Sequence, residues 1–314
     1  MHLAPSPPGA PDLPQSLTSV STHTLLRDHL VNVHADIAAI EAGRPLLKPG
    51  ELSAFIELHI EQGPQLSEIG HPVAAVSGTR ALYRMDATWR GEAGHAGVVP
   101  RHRRRDAVMA ATAAVVALNA EWEEWERQGH DLVFTVGALN TNPNTHGYSR
   151  IPDTVSAMLE LRSLSQNTAE AFRQRVIELV QATATAYNVQ SRVLHAGHTP
   201  GATFDPQLVE SLHNLVTAHV DESMAQPNNH HHNHHNHNVD MVGGNATVPI
   251  LASGAGHDAA VFASAGVPSA MLFVRSLDGS HNPNEQMDFN DWLTGLDVLV
   301  RQVLLLTDST RSKQ

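Results

Sequence analysis

The segment FIELHIEQGPQL, residues 55–66, carries the most informative pattern in this sequence. Apolar and polar residues alternate along it, which is typical of a half-buried strand, and the turn-forming pair Gly63–Pro64 ends it. The strand end presents His59, Glu61 and Gln62. Because a strand holds an imidazole rigidly, a histidine at its end is well suited to bind a metal ion, and Glu61 is an obvious candidate for a catalytic carboxylate. A single histidine in such a position is, however, more often structural.

Downstream of this strand, residues 81–195 predict a domain of alternating strands and helices. Alternating apolar positions indicate strands, and capped stretches with apolar residues at helical spacing indicate helices. The strands are predicted at 81–91, 131–140, 154–163 and 189–195, and the helices at 104–129 and 167–188, the second starting at Asn167 or Thr168. This β-α-β-β-α-β order predicts a ferredoxin-like domain, in which a four-stranded antiparallel sheet carries both helices on one face.

The flanking residues predict a second domain that the first one interrupts. Helices are predicted at 21–43, 205–220, 258–266 and 287–310, and a buried apolar strand at 269–275. Helices that alternate with short apolar strands indicate an α/β layer with a partly parallel sheet. The predicted fold class is therefore α/β: a discontinuous α/β domain, residues 21–80 and 196–314, with the ferredoxin-like domain, residues 81–195, inserted in it. The Pro- and Ser-rich residues 1–20 are expected to be disordered.

The composition argues against several classes of protein. The 314 residues are 41% hydrophobic, and they carry a net charge of −12 with only two lysines, so a core is expected and a nucleic-acid partner is not. Without cysteine, the chain has no disulfide and no thiolate metal site. The longest apolar run, residues 107–118, is too short to span a bilayer, and residues 1–15 lack the pattern of a signal peptide. We expect a cytoplasmic protein with no membrane partner.

Four polar segments combine histidine with glycine where the chain changes direction. They lie at 59–63, 91–107, 253–259 and 278–285. Glycine lets the backbone approach a ligand closely, and histidine is the commonest neutral metal ligand. Six of the 22 histidines fall in one tract, and the remaining 16 are still a high number, which mildly indicates metal chemistry.

Each of these segments also has a structural interpretation when taken alone. The segment GAGHDA, residues 254–259, is glycine-rich like a phosphate loop but lacks the lysine of a P-loop. The four arginines within residues 101–105 are most simply interpreted as a solvated helix start, although positive charge there opposes the helix dipole. Asp28 and Asp36 are interpreted as ordinary helix residues.

As an ordered set, the segments resemble a known family. The matching stretches are ELHIEQGP (57–64), GHAG..P...R.DA (94–107), IP.TV...LELR (151–162), SGAGHDA (253–259) and FVRS..GSHNP.E (273–285). They resemble the di-zinc amidohydrolases, which include N-carbamoyl-L-amino-acid hydrolase, allantoate amidohydrolase and β-ureidopropionase and are related to aminoacylase-like metallopeptidases. The resemblance covers about residues 22–308. It implies a zinc-binding α/β domain with an inserted ferredoxin-like lid through which two copies of the chain dimerise.

The resemblance implies a metal centre at which His59 is a ligand of one zinc ion and His281 a ligand of the other. The family holds two zinc ions in each active site, and manganese, cobalt or nickel can replace them.

The resemblance also implies contacts with a small-molecule substrate. The residues concerned are Gln62, His95, Ser149, Arg162, Gly256 and His257. His95 is expected to polarise the scissile carbonyl, often across the dimer in this family, and Arg162 to clamp the substrate carboxylate with its guanidinium. Ser149 stands where the family carries an asparagine, and Asp258 is expected to support the substrate loop.

The implied reaction is the hydrolysis of a linear amide or ureido C–N bond. Two zinc ions lower the pKa of a bridging water, a glutamate takes its proton, and the hydroxide attacks the carbon. His95 would then stabilise the developing oxyanion. An N-carbamoyl amino acid would yield carbon dioxide, ammonia and the amino acid.

The sequence also departs from the family pattern. The family places a His-x-Asp pair, a bridging aspartate and a Glu-Glu pair before ELHIEQGP, whereas only 58 residues precede His59 here and none of them match. The ligand set is therefore expected to be incomplete and the chain to be truncated and catalytically compromised. The alternative is a non-catalytic dimerisation or regulatory protein that retains the lid and the substrate loops.

A low-complexity insertion is predicted at residues 226–240. It contains six histidines between positions 230 and 237, which would bind zinc, nickel or copper in any flexible chain. We interpret it as a surface insertion, and metal buffering by this tract is the weaker alternative.

Overall fold

The computed structural model describes residues 26–44, 50–225 and 248–311. In chain order the strands are β1 Phe55–Ile60, β2 Val73–Thr79, β3 Ala81–Arg90, β4 Gly94–His95, β5 Val133–Thr141, β6 Arg150–Ile151, β7 Thr154–Ser163, β8 Gln190–Thr199, β9 Ala202–Thr203, β10 Leu251–Ser253 and β11 Ser269–Val274. The helices are α1 Leu26–Asn32, α2 Ile37–Glu41, α3 Gln65–Ile69, α4 Ala107–Arg127, α5 Gln166–Ala186, α6 Pro206–Ala225, α7 Asp258–Ser264 and α8 Phe289–Arg311. The predicted mixed α/β fold class is confirmed.

The chain divides into two compact units. Unit 1 comprises Met1–Val76, Phe204–Ile250 and His257–Gln314, and unit 2 comprises Ser77–Thr203 and Leu251–Gly256. The chain passes from the first to the second within β2.

Unit 1 is built around the parallel pair β1 and β11. Their register runs from Phe55 opposite Ser269 to Ile60 opposite Val274, and β11 also pairs antiparallel with the first half of β2. The strand β11 is buried along its whole length. Helix α7 covers one face of β1, where Phe55 stacks on Phe262 at 4.0 Å between ring centroids. Pairing with β11 and packing against α7 therefore fix the position of β1, the strand with which segment 55–66 begins.

Unit 2 contains a four-stranded antiparallel sheet in the order β5-β7-β3-β8. The alternating burial of β3 and β7 turns one face inward, and this face packs with α4 and α5 around Trp89 and Phe172, both of which are fully buried. The elements from β3 to β8 follow the predicted β-α-β-β-α-β order, with two additional two-residue strands, β4 and β6. Its role as a lid or dimerisation domain stays a prediction.

Several predicted element boundaries are wrong. The single helix predicted at 21–43 is interrupted in its described part: α1 ends at Asn32, His34 takes a left-handed conformation with φ of 58°, and Asp36 caps α2 by accepting the Ala39 amide. Strand β2 was not predicted, because its small apolar residues do not alternate with polar ones. Helix α5 is capped by Ser165, whose hydroxyl accepts the Thr168 amide at 3.2 Å, and not by Asn167 or Thr168.

The arginine-rich segment 101–105 is not a helix start. Arg101–Arg103 form a single 3-10 turn, and α4 begins only at Ala107, after Asp106 has accepted the amides of Val108 and Met109. The expected conflict between these arginines and the helix dipole therefore does not arise.

The predicted disordered segment 1–20 and the low-complexity segment 226–240 lie outside the described residues. Within the described ranges, no helix is long and apolar enough to cross a membrane.

Candidate metal and substrate site

Four side chains lie on one face of β1 and of the turn that follows it. These are Phe55, Glu57, His59 and Glu61, which share a face because side chains alternate along a strand. Phe55 packs on α7, as described above. The other three define the chemistry of this strand end.

The ring of His59 is oriented by its own backbone neighbour. Its Nδ1 lies 2.6 Å from the carbonyl oxygen of Ile60, and since a carbonyl only accepts, Nδ1 must be the donor. In the neutral imidazole this leaves the lone pair on Nε2, the tautomer that a metal ligand requires. The ring also contacts His257 edge-on, with 4.5 Å between the ring centroids.

Glu57 was not predicted from the sequence, yet the structure places it in the same cluster. Its Oε2 accepts the amide of Ala259 at 2.7 Å, and its Oε1 lies 3.8 Å from Nδ1 of His257. Burial alone would raise the pKa of Glu57, but the nearby His257 imidazole and the hydrogen bond from the Ala259 amide outweigh it and lower this pKa below its usual value. The one available signal was its position two residues before His59, on the same strand face.

Glu57, His59 and His257 together form a group that could hold a metal ion. One potential ligand atom from each residue lies within 4.8 Å of the other two, and only 1% of the His257 side chain is exposed. Two imidazoles and one carboxylate are a donor set that zinc commonly takes in catalytic sites.

The carboxylate of Glu61 accepts hydrogen bonds from two backbone amides. Its Oε1 accepts the amide of Gln65 at 2.8 Å and its Oε2 accepts the amide of Leu66 at 2.9 Å, and the residue is only 8% exposed. These two amides begin α3 and have no partner within the helix. Glu61, which the sequence indicated as a candidate catalytic carboxylate, therefore caps the N-terminus of α3.

Gln62 and His281 meet in unit 1 although 218 residues separate them in the chain. The side-chain amide of Gln62 lies 3.5 Å from Nε2 of His281, and it also donates to the hydroxyl of Ser280 at 3.3 Å. Both residues take left-handed backbone conformations, with φ of 60° at Gln62 and 57° at His281. Such conformations are costly outside glycine and cluster at functional sites. The amide of Gln62 is held by Ser276 and that of His281 by Glu285, each at 2.9 Å.

His95 and Ser149 meet in unit 2. His95 pairs with Arg150 between β4 and β6, and the adjacent amide of Ala96 donates to the carbonyl of Ser149 at 2.8 Å. The Nδ1 of His95 accepts the amide of Gly97 at 3.1 Å. The neutral ring therefore carries its proton on Nε2, where it can donate to a substrate oxygen.

Arg104 fastens the loop that follows His95. Its Nε donates to the carbonyl of Val99 at 3.0 Å, and its guanidinium also donates to the carbonyl of Ala96. The sequence had suggested that the arginines of this segment are solvated, and for Arg104 this is wrong, because its donors are used to hold the loop.

Arg162 lies on β7 beside a carboxylate of the same strand face. It donates to Oε1 of Glu160 with Nε at 2.8 Å, and it also donates to the carbonyl of Gly254. Arg84 donates to the other oxygen of Glu160 at 3.0 Å. Burial would raise the pKa of Glu160, but the two arginines lower it below the usual 4.5. Gly256, at the end of the same loop, has open space where a Cβ would stand.

The structure therefore brings the predicted site residues together in groups. In unit 1, His59 lies beside His257, and Gln62 beside His281. In unit 2, the loop of His95 contacts Ser149, and Arg162 reaches the loop that leads to Gly256. Asp258 is the first residue of α7. The roles of these residues remain predictions.

Known proteins with similar sequences include amidohydrolases and allantoate deiminases. The N-carbamoyl-L-amino acid amidohydrolase of Geobacillus stearothermophilus is 31% identical over 81% of this chain and 55% of its own length. A probable allantoate deiminase of Oryza sativa is 29% identical over 91% of this chain and 59% of its own length. Among solved structures, a hydantoinase/carbamoylase family amidase from Burkholderia ambifaria superposes with a TM-score of 0.65 at 26% identity, over 82% of this chain and 55% of the amidase.

The chain thus spans little more than half the length of these relatives. Its own match to a family profile extends over residues 35–304, which is most of the described sequence. The chain belongs to peptidase family M20/M25/M40.

Proposed function

We propose that this chain carries part of the site of a metal-dependent hydrolase that cleaves linear ureido or amide C–N bonds. The observation that supports this most is the hydrogen bond from Nδ1 of His59 to the carbonyl of Ile60, which leaves Nε2 available to bind a metal ion. This geometry occurs in a chain that belongs to a family of hydrolases. The names of the relatives, which include N-carbamoyl-L-amino acid amidohydrolase and allantoate amidohydrolase, support N-carbamoyl amino acids and allantoate as the proposed substrate class.

The cluster of Glu57, His59 and His257 in unit 1 offers nitrogen and oxygen atoms that suit a divalent metal ion. The family resemblance assigns His59 and His281 as metal ligands. A bound zinc ion would lower the pKa of a water and polarise the scissile carbonyl. Manganese, cobalt or nickel could serve in its place, since imidazole suits several of these ions.

The side chains of unit 2 would bind and orient the substrate. The Nε2 proton of His95 would be donated to the developing oxyanion, and the Gly97 amide keeps that proton on Nε2. Arg162 would bind the substrate carboxylate in a bidentate manner, for which it has to share its donors with Glu160. The hydroxyl of Ser149 would contact the substrate at the position of the family's asparagine, with one polar atom in place of two.

In unit 1, Gln62 would contact the substrate beside His281. Its side-chain amide is already directed by Ser280, and the left-handed turn at Gln62 presents it next to the imidazole. Gly256 and His257 would line the substrate, with the absence of a side chain at Gly256 leaving room for it. We expect the protein to act in the cytoplasm. We also expect two copies of the chain to form a homodimer.

Hydrolysis assays on the purified chain test the proposal. N-carbamoyl amino acids, allantoate and a β-ureido acid are each incubated with zinc or manganese, and ammonia release is measured for the wild type, for His59→Asn and for the control His71→Asn. Activity that requires metal and is lost only in His59→Asn is expected. If the wild type binds these compounds without hydrolysing any of them, the non-catalytic dimerisation or regulatory alternative is correct instead.

A further inference from the structure

The cluster of Glu57, His59 and His257 has the composition of a metal site. We propose that Glu57, His59 and His257 are the three protein ligands of a mononuclear zinc-type site, with a fourth position open to water or substrate. This deepens the proposed function, on which it rests, because it names two ligands, Glu57 and His257, in addition to His59. It also differs from the expectation that only His59 and His281 remain as ligands.

The distances permit one ion to be shared by the three side chains. Zinc binds nitrogen and oxygen at about 2.0–2.2 Å in a tetrahedron, so its ligand atoms stand about 3.4 Å apart. One potential ligand atom of each side chain lies within 4.8 Å of those of the other two. Side-chain rotations that bring these atoms about 1.4 Å closer together would close this gap.

Two of the three ligands are held by outer contacts of the kind found around metal ions. Ligating histidines donate their second ring nitrogen to a carbonyl or carboxylate, and ligating carboxylates are themselves hydrogen-bonded. The Nδ1 of His59 donates to the carbonyl of Ile60, and Oε2 of Glu57 accepts the amide of Ala259. These contacts leave Nε2 of His59 and Oε1 of Glu57 as the ligand atoms.

The position in the fold supports the same assignment. His59 lies near the carboxyl end of the parallel pair β1 and β11, where ligands bind in α/β sheets, and His257 immediately precedes α7. The side chain of His257 is 1% exposed and that of Glu57 is 16% exposed. A buried imidazole, a half-buried imidazole and a half-buried carboxylate form a more preorganised site than the same residues would on an open surface.

Substitution can distinguish a metal-binding role of Glu57 from a purely structural one. In that role the carboxylate only caps α7 and holds His257. The change Glu57→Gln keeps the shape and an oxygen that accepts the Ala259 amide, but it removes the negative charge that a zinc ligand supplies. Glu61→Gln is the matched control, since Glu61 faces the same side and also accepts amides at a helix start.

The test measures Zn²⁺ and Co²⁺ binding to the full-length chain by calorimetry and by the visible spectrum of bound Co²⁺. The proteins are the wild type, Glu57→Gln, His257→Asn and Glu61→Gln. Each is prepared with the six histidines of residues 230–237 intact and replaced by serine, because that tract would bind the same ions. Circular dichroism establishes that each variant is folded, and a variant that is not folded is replaced by Glu57→Ala or His257→Gln.

The proposal predicts one tight equivalent of metal in the wild type that survives replacement of the tract. Glu57→Gln and His257→Asn should each weaken this binding at least about 10-fold, the loss that even an outer partner causes, and should change the Co²⁺ spectrum. Glu61→Gln should do neither. Unchanged affinity in Glu57→Gln, equal weakening in Glu61→Gln, or weakening with an unchanged Co²⁺ spectrum would overturn the assignment. Because no turnover is measured, retained metal binding without hydrolysis would overturn only the proposed function.

Discussion

Glu57, His59 and Glu61 face the same side of one short segment, but their contacts give them different roles. Glu57 reaches an imidazole and the start of α7, His59 keeps one nitrogen free, and Glu61 binds the two amides that begin α3. The sequence marked His59 as a candidate metal ligand by its place at a strand end and by the family resemblance, and its role as a ligand stays a prediction. The contacts of Glu57 could not be predicted, because its partners lie about 200 residues further along the chain and no local pattern marks them.

At Glu61, loss of the carboxylate should destabilise the fold without touching the metal cluster. Glu61→Ala removes the acceptor of two amides at the start of α3, which typically costs about 1–2 kcal/mol of unfolding free energy. Chemical denaturation measures the loss. Glu68→Ala, an exposed change in the first turn of the same helix, serves as the control and should have almost no effect. Equal midpoints for the two variants would show that Glu61 does not cap the helix.

At Arg104, substitution should loosen the loop that carries His95. Arg104→Gln removes the donors that hold the carbonyls of Ala96 and Val99, so amide hydrogen exchange in residues 96–103 should accelerate. Arg103→Gln, an exposed neighbouring arginine, should leave exchange as in the wild type. The prediction fails if both variants exchange alike.

At the scale of elements, periodicity explains which strands could be predicted. The strands β3 and β7 alternate strictly between buried and exposed residues, and the sequence predicted both within one residue of their observed ends. Strand β2 is buried along nearly its whole length and shows no alternation, so it was missed. The break between α1 and α2 depends on a left-handed His34, which residue type does not signal.

The end of β3 depends on a close approach that only glycine permits. A Cβ on Gly91 would stand 1.9 Å from the carbonyl oxygen of Arg105, so Gly91→Ala must displace the backbone that leads into α4. We expect a loss of about 1–3 kcal/mol in unfolding free energy, as for other overpacked sites. Gly197→Ala on β8 is the control, because its added Cβ meets nothing within 4 Å. Equal melting temperatures for the two variants would contradict the packing at β3.

The link between β3 and β7 should depend on pH through Glu160. Its pKa is lowered below 4.5 by Arg162 and Arg84 against the effect of burial, so its contribution is fully present above 4.5 and is lost as the pH falls through the folded-state value. Glu160→Gln should reduce the unfolding free energy by roughly 1 kcal/mol near neutral pH, a modest value because Arg84 is 59% exposed. The difference between wild type and variant should shrink as the pH falls below 4.5 and vanish once the pH is below the folded-state pKa of Glu160. A difference that stays constant across this range would rule out the ionised carboxylate as its source.

At the scale of the whole molecule, the residues of the predicted site are divided between two compact units. The ordered set of motifs predicted the family from residues spread over both units, although no single motif was specific. What the sequence could not predict is which of these residues meet, since Gln62 and His281 approach each other only through folding.

The predicted homodimer is a property of the whole molecule. Light scattering after size-exclusion chromatography should give about twice the chain mass of 33.9 kDa at micromolar concentration. A mass of one chain that does not rise with concentration would exclude dimerisation through the predicted lid.

The most direct test of the metal-site assignment is anomalous X-ray scattering from crystals grown with Zn²⁺. We predict an anomalous peak at the zinc edge about 2 Å from Nε2 of His59, within bonding distance of Glu57 and His257. Data above and below the edge distinguish zinc from other ions. A fully ordered strand β1 with no peak beside His59 in crystals that bind zinc elsewhere would contradict the assignment of this strand end as a metal site.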